Sequence, residues 1–292
     1  MTADPKERRV GKGRRVPEEE WRAYMEGTHR NIHRASRTLG VLPSDPRCRF
    51  CHVPFSGAGG WVARHVSKTN LPWEKNPNLC RRCVTGMAGD EILGSELNVS
   101  FLFADVRGSS DLARRLGDRE FTQVMQRFYG VATRTLFDHD ALLDKFVGDE
   151  VVGFFIPFMA GTDHARRAVD AAQALFREAG YGSEAGPWLP LGAGVHTGPS
   201  FIGFVSRGLD SEFTALGNTI NVASHLAAQA RAGELLVTEE VRAALAADGL
   251  ERRHLSLKGH ELDAFVITAP APAVRGVGEP GSPSRTTAPR GT

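Results

Sequence analysis

Phe101-Leu-Phe-Ala-Asp-Val-Arg-Gly108 and Asp144-Lys-Phe-Val-Gly-Asp-Glu-Val151 are the two stretches from which the rest of the chain can be read. In the first, an apolar, strand-like run ends on Asp105 just ahead of a glycine. In the second, a short apolar run is interrupted at the Gly148 turn by Asp149. A carboxylate at a strand end and another at a turn can bring two hard oxygen ligands together over a phosphate-binding loop, as Mg²⁺ chemistry requires. The pattern points to chemistry on a nucleotide.

Outward from these stretches, residues 97–268 read as alternating strands and helices. Leu97–Val106 is expected to be a strand, Arg119–Phe137 a helix, Leu142–Lys145 and Val151–Ile156 a hairpin, and Asp163–Ala179 a second amphipathic helix. Leu189–His196 and Phe201–Val205 read as two further strands, Thr219–Ala230 as a third helix and Glu234–Val237 as another strand. This order predicts an α+β sandwich, a sheet with helices packed on one face.

The flanking sequence divides by composition. Residues 1–16 carry six Lys or Arg against two acids and are expected to form a flexible basic arm. In 17–46, Pro17 followed by three glutamates and apolar residues at helical spacing predicts one helix leading into a cysteine-rich segment, 47–86. A short connector near Gly86–Gly94 follows. The Pro-, Gly-, Ser- and Thr-rich tail, 269–292, has little to bury and is expected to be disordered. At 292 residues and 41% hydrophobic content the chain can build a sizeable core. A formal charge of +2 does not imply a polyanion partner. The longest apolar stretch, around Val151 to Gly161, is broken by Pro157 and falls short of the ~20 residues of a membrane-spanning helix. No apolar segment follows the basic N-terminus, so no secretory signal is expected and the location is read as cytoplasmic.

All four cysteines fall into two Cys-x-x-Cys pairs, Cys48 with Cys51 and Cys80 with Cys83. Four thiolates in two knuckles suit tetrahedral Zn²⁺ in a reducing compartment. The 28 residues between the pairs exceed the usual ribbon spacing of roughly 15–20. An iron–sulfur cluster and reversible disulfides therefore stay open as alternatives. Between Arg47 and Cys83 there are seven Lys or Arg and one Glu, with Trp61 and Trp73 among them. A basic metal module with a regulatory role is favoured over nucleic-acid binding.

Four blocks in order, Phe-Ala-Asp-Val-Arg-Gly at 103–108, Lys-Phe-Val-Gly-Asp-Glu at 145–150, Gly-Val-His-Thr-Gly at 194–198 and Phe-Thr-Ala-Leu-Gly-Asn-Thr-Ile-Asn-Val-Ala-Ser at 213–224, resemble the catalytic domain of class III adenylate/guanylate cyclases. The resemblance covers 99–238 and runs more faintly to about 268. It implies a ferredoxin-like, palm-type α+β fold over 97–268 and conversion of ATP to cyclic AMP and pyrophosphate. By position, Asp105, Asp149 and the Val106 carbonyl would bind two Mg²⁺ or Mn²⁺ ions. Backbone N–H groups at Arg107, Gly108, Ser109 and Ser110 would cradle the phosphates. Ser109-Ser110 stands where the family more often has Phe-Thr. Lys145 occupies the purine-contacting position at which Lys favours ATP and Glu favours GTP, and Thr214 replaces an Asp frequent in relatives. Asn221 would orient the ribose. His225, four positions on along the same helix face, replaces the Arg that usually faces the α-phosphate. An imidazole offers neither the permanent charge nor the forked donors of a guanidinium. His164 and His196 read as packing or surface residues.

In that family the site forms between two domains packed head to tail, so a homodimer with two equivalent sites is implied. Two other readings stay open. One is a nucleotide-binding pseudo-cyclase acting as a sensor, which His225 favours. The other is a diguanylate cyclase, whose Gly-Gly-Asp-Glu-Phe signature is incomplete at Val147-Gly148-Asp149-Glu150.

Overall fold

The computed structural model describes residues 17–39, 41, 45–74, 76–87, 93–207, 210–257 and 260–271. The expected basic arm, most of the expected tail and the middle of the connector lie outside the described residues. In chain order the elements are α1 (Glu18–Met25), α2 (Arg30–Leu39), α3 (Gly57–Val66), β1 (Pro72–Trp73), β2 (Asn76–Cys80), α4 (Arg81–Met87), β3 (Leu93–Val106), α5 (Ser109–Asp138), β4 (Leu142–Val147) and β5 (Glu150–Phe155). They continue with α6 (Pro157–Ala160), α7 (His164–Glu178), β6 (Leu191–Arg207), β7 (Asp210–Leu216), α8 (Asn218–Gln229), β8 (Glu234–Val237), α9 (Glu239–Leu245), β9 (Glu251–Leu257) and β10 (His260–Thr268). The main sheet runs β4-β5-β3-β6-β8-β10-β9, and β7 pairs with the far end of β6. Among the described residues no helix is long and apolar enough to cross a membrane.

This is the expected α+β arrangement, with three corrections. Segment 17–39 is two helices rather than one. Gly27 adopts a left-handed φ of 74°, and the N–H groups of Thr28 and His29 both turn back to the Ala23 carbonyl, which ends α1. The two strands expected at 189–205 are a single strand, β6. Gly198 and Pro199 stay in register opposite Val99 and Asn98 of β3. Pro199 falls between the part of β6 that pairs with β8 and the part that pairs with β7, where no strand on that side requires its missing N–H.

The third correction concerns the faces. Side chains alternate along a strand, and β3 is apolar on both sides. Leu102, Ala104 and Val106 join a core with residues of α5, α7 and α9. Leu97, Val99, Phe101 and Phe103 join a second core with Trp21 and Met25 of α1, the cysteine segment, and Ala223 and Ala227 of α8. Helices therefore cover both faces, because a strand apolar on each side must be covered on each side. The Trp21 indole N–H donates to the Ile202 carbonyl of β6 at 3.2 Å, fixing α1 on this second face.

α8 lies against β6 at a point with no room for a side chain. A Cβ at Gly194 would stand 2.4 Å from the Ala227 nitrogen and 2.6 Å from the Ala223 carbonyl oxygen. Both obstacles are backbone, so relief requires the helix to move. Gly194→Ala is expected to lower stability by about 1–3 kcal/mol, read as a shift of the urea midpoint at unchanged slope.

Candidate active site and thiolate cluster

Asp105 extends the Phe101, Phe103 side of β3, so its carboxylate stands on the face that α1, the cysteine segment and α8 cover. The β3–β5 ladder sets Asp105 opposite Glu150, and the Val106 N–H donates to the Asp149 carbonyl at 3.3 Å. The turn that carries Asp149 is formed by Gly148 at φ 62°. Its carbonyl accepts a hydrogen bond from the Tyr129 hydroxyl of α5 at 2.6 Å. Two residues far apart in sequence are thus delivered to one sheet end by strand pairing and one tyrosine clamp.

Negative charge accumulates there. Burial, and then the charge of Asp149, push the Glu150 carboxyl above the usual range, with Arg107 opposing. Arg107 is the local counter-ion. Its guanidinium pairs with Asp105, and one nitrogen donates to the Ala228 and Ala230 carbonyls at 3.0 and 3.4 Å, at the end of α8. Burial lowers the arginine's pKa, and Asp149 and Glu150 pull the other way. Arg107 thus pairs with one carboxylate and feels the charge of two more, and Asp105 and Asp149 offer the hard oxygen atoms that a divalent cation takes. Sequence reading assigned Arg107 only to the phosphate cradle. Its role as the Asp105 partner depends on the end of α8, which spacing does not reveal.

Of the expected cradle, the Arg107 N–H is already held by the Pro190 carbonyl at 2.8 Å. Gly108 takes a left-handed φ of 67° and starts α5, so the N–H groups of Ser109 and Ser110 fall in the first turn, where no intrahelical acceptor exists. The helix breaks at Gly117, φ 75° and ψ 164°, into a short leading segment and a long shaft.

The remaining residues stand elsewhere. Lys145 is paired with Val152, hence on the face of Asp105; its Nζ lies 3.2 Å from Asp144 and half of its side chain is exposed. Thr214 is opposite Gly203 of β6, whereas Asp105 is opposite Gly192. The eleven intervening steps correspond to about 36 Å of strand. One chain does not bring Thr214 to Asp105. Asn221 and His225 sit one turn apart on α8, on the side away from the buried Ala223, Leu226 and Ala227. Val147, beside the hairpin turn, and Leu216, ahead of α8, are exposed apolar residues at 54% and 52%.

His164 and His196 are packing residues of a polar kind. His164 Nδ1 is hydrogen-bonded to Ser100 Oγ at 2.7 Å, and Ser100 to Thr197 at 2.6 Å. His196 Nδ1 meets Thr238 Oγ1 at 2.8 Å. Both line a cleft of about 390 Å³ with Asn98 and Glu240. Burial lowers both pKa values, opposed by Asp163 at His164 and by Glu240 at His196.

The four cysteines converge. Their Sγ atoms all lie within 4.8 Å of one another, with Cys48 to Cys83 at 4.0 Å and Cys51 to Cys80 at 3.7 Å. A tetrahedron with metal–sulfur bonds of 2.3 Å has edges of about 3.8 Å, so the spacing fits one tetrahedral ion and leaves little room for the sulfides of an iron–sulfur cluster. None is in a disulfide. The Cys80 N–H donates to Cys48 Sγ at 3.3 Å and the Cys83 N–H to Cys80 Sγ at 3.4 Å, contacts that favour thiolate. The sulfurs act on one another. Hydrogen bonding from Cys51 lowers Cys48 and from Cys48 lowers Cys80, while Cys48 raises Cys51 and Cys83. His52, next to the first knuckle, and His65 do not belong to the cluster.

Residues 94–269 match the sequence profile of the adenylate and guanylate cyclase catalytic domain. Among curated proteins, adenylate cyclase 1 of Rhizobium meliloti is 27% identical over 133 residues, covering 44% of this chain and 20% of that protein. An uncharacterised protein of Mycobacterium tuberculosis is 26% identical over 175 residues, covering 58% and 32%. The chain thus spans between a fifth and a third of these relatives. Among solved structures, the adenylyl cyclase CyaB from P. aeruginosa aligns with a TM-score of 0.51 at 23% identity, covering 60% of this chain and 96% of that one. The guanylyl cyclase Cya2 aligns at 0.52 and 20% identity, covering 63% and 97%. These likenesses are of fold.

Because the folded structure lowers the pKa of both histidines, the unfolded chain binds more protons than the folded one just below their ordinary value of 6.5. Stability from these groups is present above that value and is lost as pH falls through it. Thermal midpoints at about pH 7.5 and about pH 5.5 should show this loss, and His164→Gln should make it smaller.

Proposed function

The chain belongs to the adenylate and guanylate cyclase catalytic domain family, and from that premise we propose that it converts ATP to 3′,5′-cyclic AMP and pyrophosphate at a site shared by two chains. The observation that carries this reading is the delivery of Asp105 and Asp149 to one sheet end with a surplus of negative charge. Asp105, Asp149 and the Val106 carbonyl would hold Mg²⁺ or Mn²⁺, two ions per site. When bound, the ions supply acidity at the ribose 3′-oxygen and neutralise the triphosphate. Arg107 gives up Asp105 and remains beside the phosphates, and the Ser109 and Ser110 N–H groups receive a phosphate oxygen at the helix start. The ribose 3′-oxygen attacks the α-phosphorus in line, its proton leaves to solvent, and the bond to pyrophosphate breaks. Lys145 and Thr214 read adenine, Asn221 orients the ribose, and His225 faces the α-phosphate.

Sharing between chains is supported by geometry. Thr214 lies about 36 Å along β6 from the level of Asp105, so a partner must supply it. The exposed Val147 and Leu216 give that partner apolar contacts beside the hairpin and α8. Residues 47–86 form a regulatory module in which Cys48, Cys51, Cys80 and Cys83 hold one zinc, ahead of a catalytic unit at 97–268. The absence of a spanning helix among the described residues is consistent with action in the cytoplasm. His225 favours one second reading, a domain that binds ATP for regulation without turning it over.

The direct test is product analysis after incubation with ATP or GTP and Mg²⁺ or Mn²⁺; cyclic GMP alone would overturn the assignment to ATP. Asp105→Ala and Lys145→Ala proteins should each be inactive as homodimers. Mixed, they should regain activity, because each shared site takes its carboxylates from one chain and Lys145 and Thr214 from the other, so that one of the two interfaces then carries every group. A proven heterodimer without activity would rule out the shared site. His225→Arg should raise kcat by about tenfold or more, with a smaller change in KM, since a forked permanent cation acts mainly on charge developing in the transition state. An active parent that Arg slows would exclude His225 as the phosphate-facing group.

A further inference from the structure

Among the described residues Asp140 is the only carboxylate closed off from solvent, with 2% of its surface exposed. It lies in the junction between α5 and β4 at a left-handed φ of 61°. One oxygen is 2.6 Å from Arg49 and the other 3.0 Å from Arg167 of α7. Arg49 follows Cys48 directly. The same junction receives two further arms from the cysteine segment. The Asn78 side-chain amide donates to the Phe137 carbonyl at 2.7 Å, and the buried Asn76 amide to the Ala141 carbonyl at 3.1 Å. Both asparagines sit on β2, which ends at Cys80.

The arms therefore come from both knuckles. Arg49 belongs to the first and the asparagines lead into the second, and the knuckles meet through the Arg49 N–H to Asn78 carbonyl bond, the Cys80 N–H to Cys48 sulfur bond, the cluster itself and the apolar core they share. Beyond the junction is β4, with Lys145 four residues and Asp149 eight residues past Ala141. Apolar contacts reach the same places. Met25, Trp73, Leu79 and Val84 close around Leu142 of β4 and Phe213, the neighbour of Thr214, leaving a cavity of only about 20 Å³.

We propose that the four-cysteine cluster is a control site for the nucleotide site. A thiophilic cation such as zinc, bound there, holds both knuckles against the α5–β4 junction and so fixes the hairpin that carries Lys145 and Asp149. This rests on the cysteines being a metal site, as proposed above. Without the cation the ligand sulfurs take up protons and are no longer tied to one centre, so the 28-residue loop between the knuckles is no longer closed. Arg49 and the asparagines then separate. A buried carboxylate that loses one of its two arginines and carbonyls that lose their donors are costly to keep in place, so the junction opens.

The test uses the full chain purified without oxygen, with zinc measured directly and removed by a chelator. Backbone amide hydrogen exchange over 137–152 is the readout, so it does not depend on turnover. The expected result is exchange roughly tenfold or more faster after zinc removal, reversed by adding zinc alone, with α7 and β8 unchanged. Arg49→Ala, which spares the ligands, should keep its zinc and show the fast exchange even when loaded. Equal protection of 137–152 with and without zinc, or a loaded Arg49→Ala protein as protected as the parent, would overturn the coupling. A folded, reduced chain that takes up no zinc would overturn the metal reading and the coupling with it, while leaving the cyclase assignment standing.

Discussion

The fourteen-residue pairing of β3 with β6, from Leu93 opposite Phe204 to Val106 opposite Leu191, is the constraint on which the remainder depends. Its length lets one strand serve two cores, because alternate residues must point to opposite faces. One face takes α5, α7 and α9; the other takes α1, the cysteine segment and α8. The same ladder assigns Asp105 to the second face without any local instruction beyond parity. A one-residue slip would turn the carboxylate into the other core along with every apolar residue before it.

Electrostatics at the sheet end follow from that placement. Asp105, Asp149 and Glu150 would be adverse neighbours in any partly buried site, and Arg107 offsets them while bridging to the end of α8. An arginine near a helix C-terminus is favourable because the last carbonyls are unsatisfied and the helix dipole is negative there. The contact ties the carboxylate cluster to the helix that presents Asn221 and His225. The carboxylate cluster and the packing of α8 are consequently coupled within one chain, even before a second chain is considered.

The cysteine segment is bound into the catalytic fold rather than appended to it. Its polar arms enter the α5–β4 junction, and its apolar side completes the second core. Small cysteine-rich segments seldom bury enough apolar surface to be stable alone, and here the sheet supplies what the segment lacks. The exchange runs in both directions, since Phe101, Phe103 and Phe154 would otherwise face water.

Much was legible in residue order. Strand-like runs ending at Asp105 and broken at Asp149 predict neighbouring carboxylates, because turns and strand ends are local properties, and the Cys-x-x-Cys pairs predict a common cluster for the same reason. Periodicity also located α7, α8 and β8 within a residue or two. It misread β6 as two strands, since whether Pro199 interrupts a strand depends on which neighbour needs its N–H. It placed helices on one face, since an apolar run does not say what will cover it. Arg107 as partner of Asp105, Asp140 as the buried link to Arg49, and the His164–Ser100–Thr197 chain had no local signal. Each joins groups that become adjacent only after the sheet has formed, and a buried charge acquires its partner from packing rather than from spacing. Sequence alone determined the candidate carboxylates and thiols and their local geometry; the tertiary structure decided which of them meet, because long-range register sets the distances on which electrostatics act.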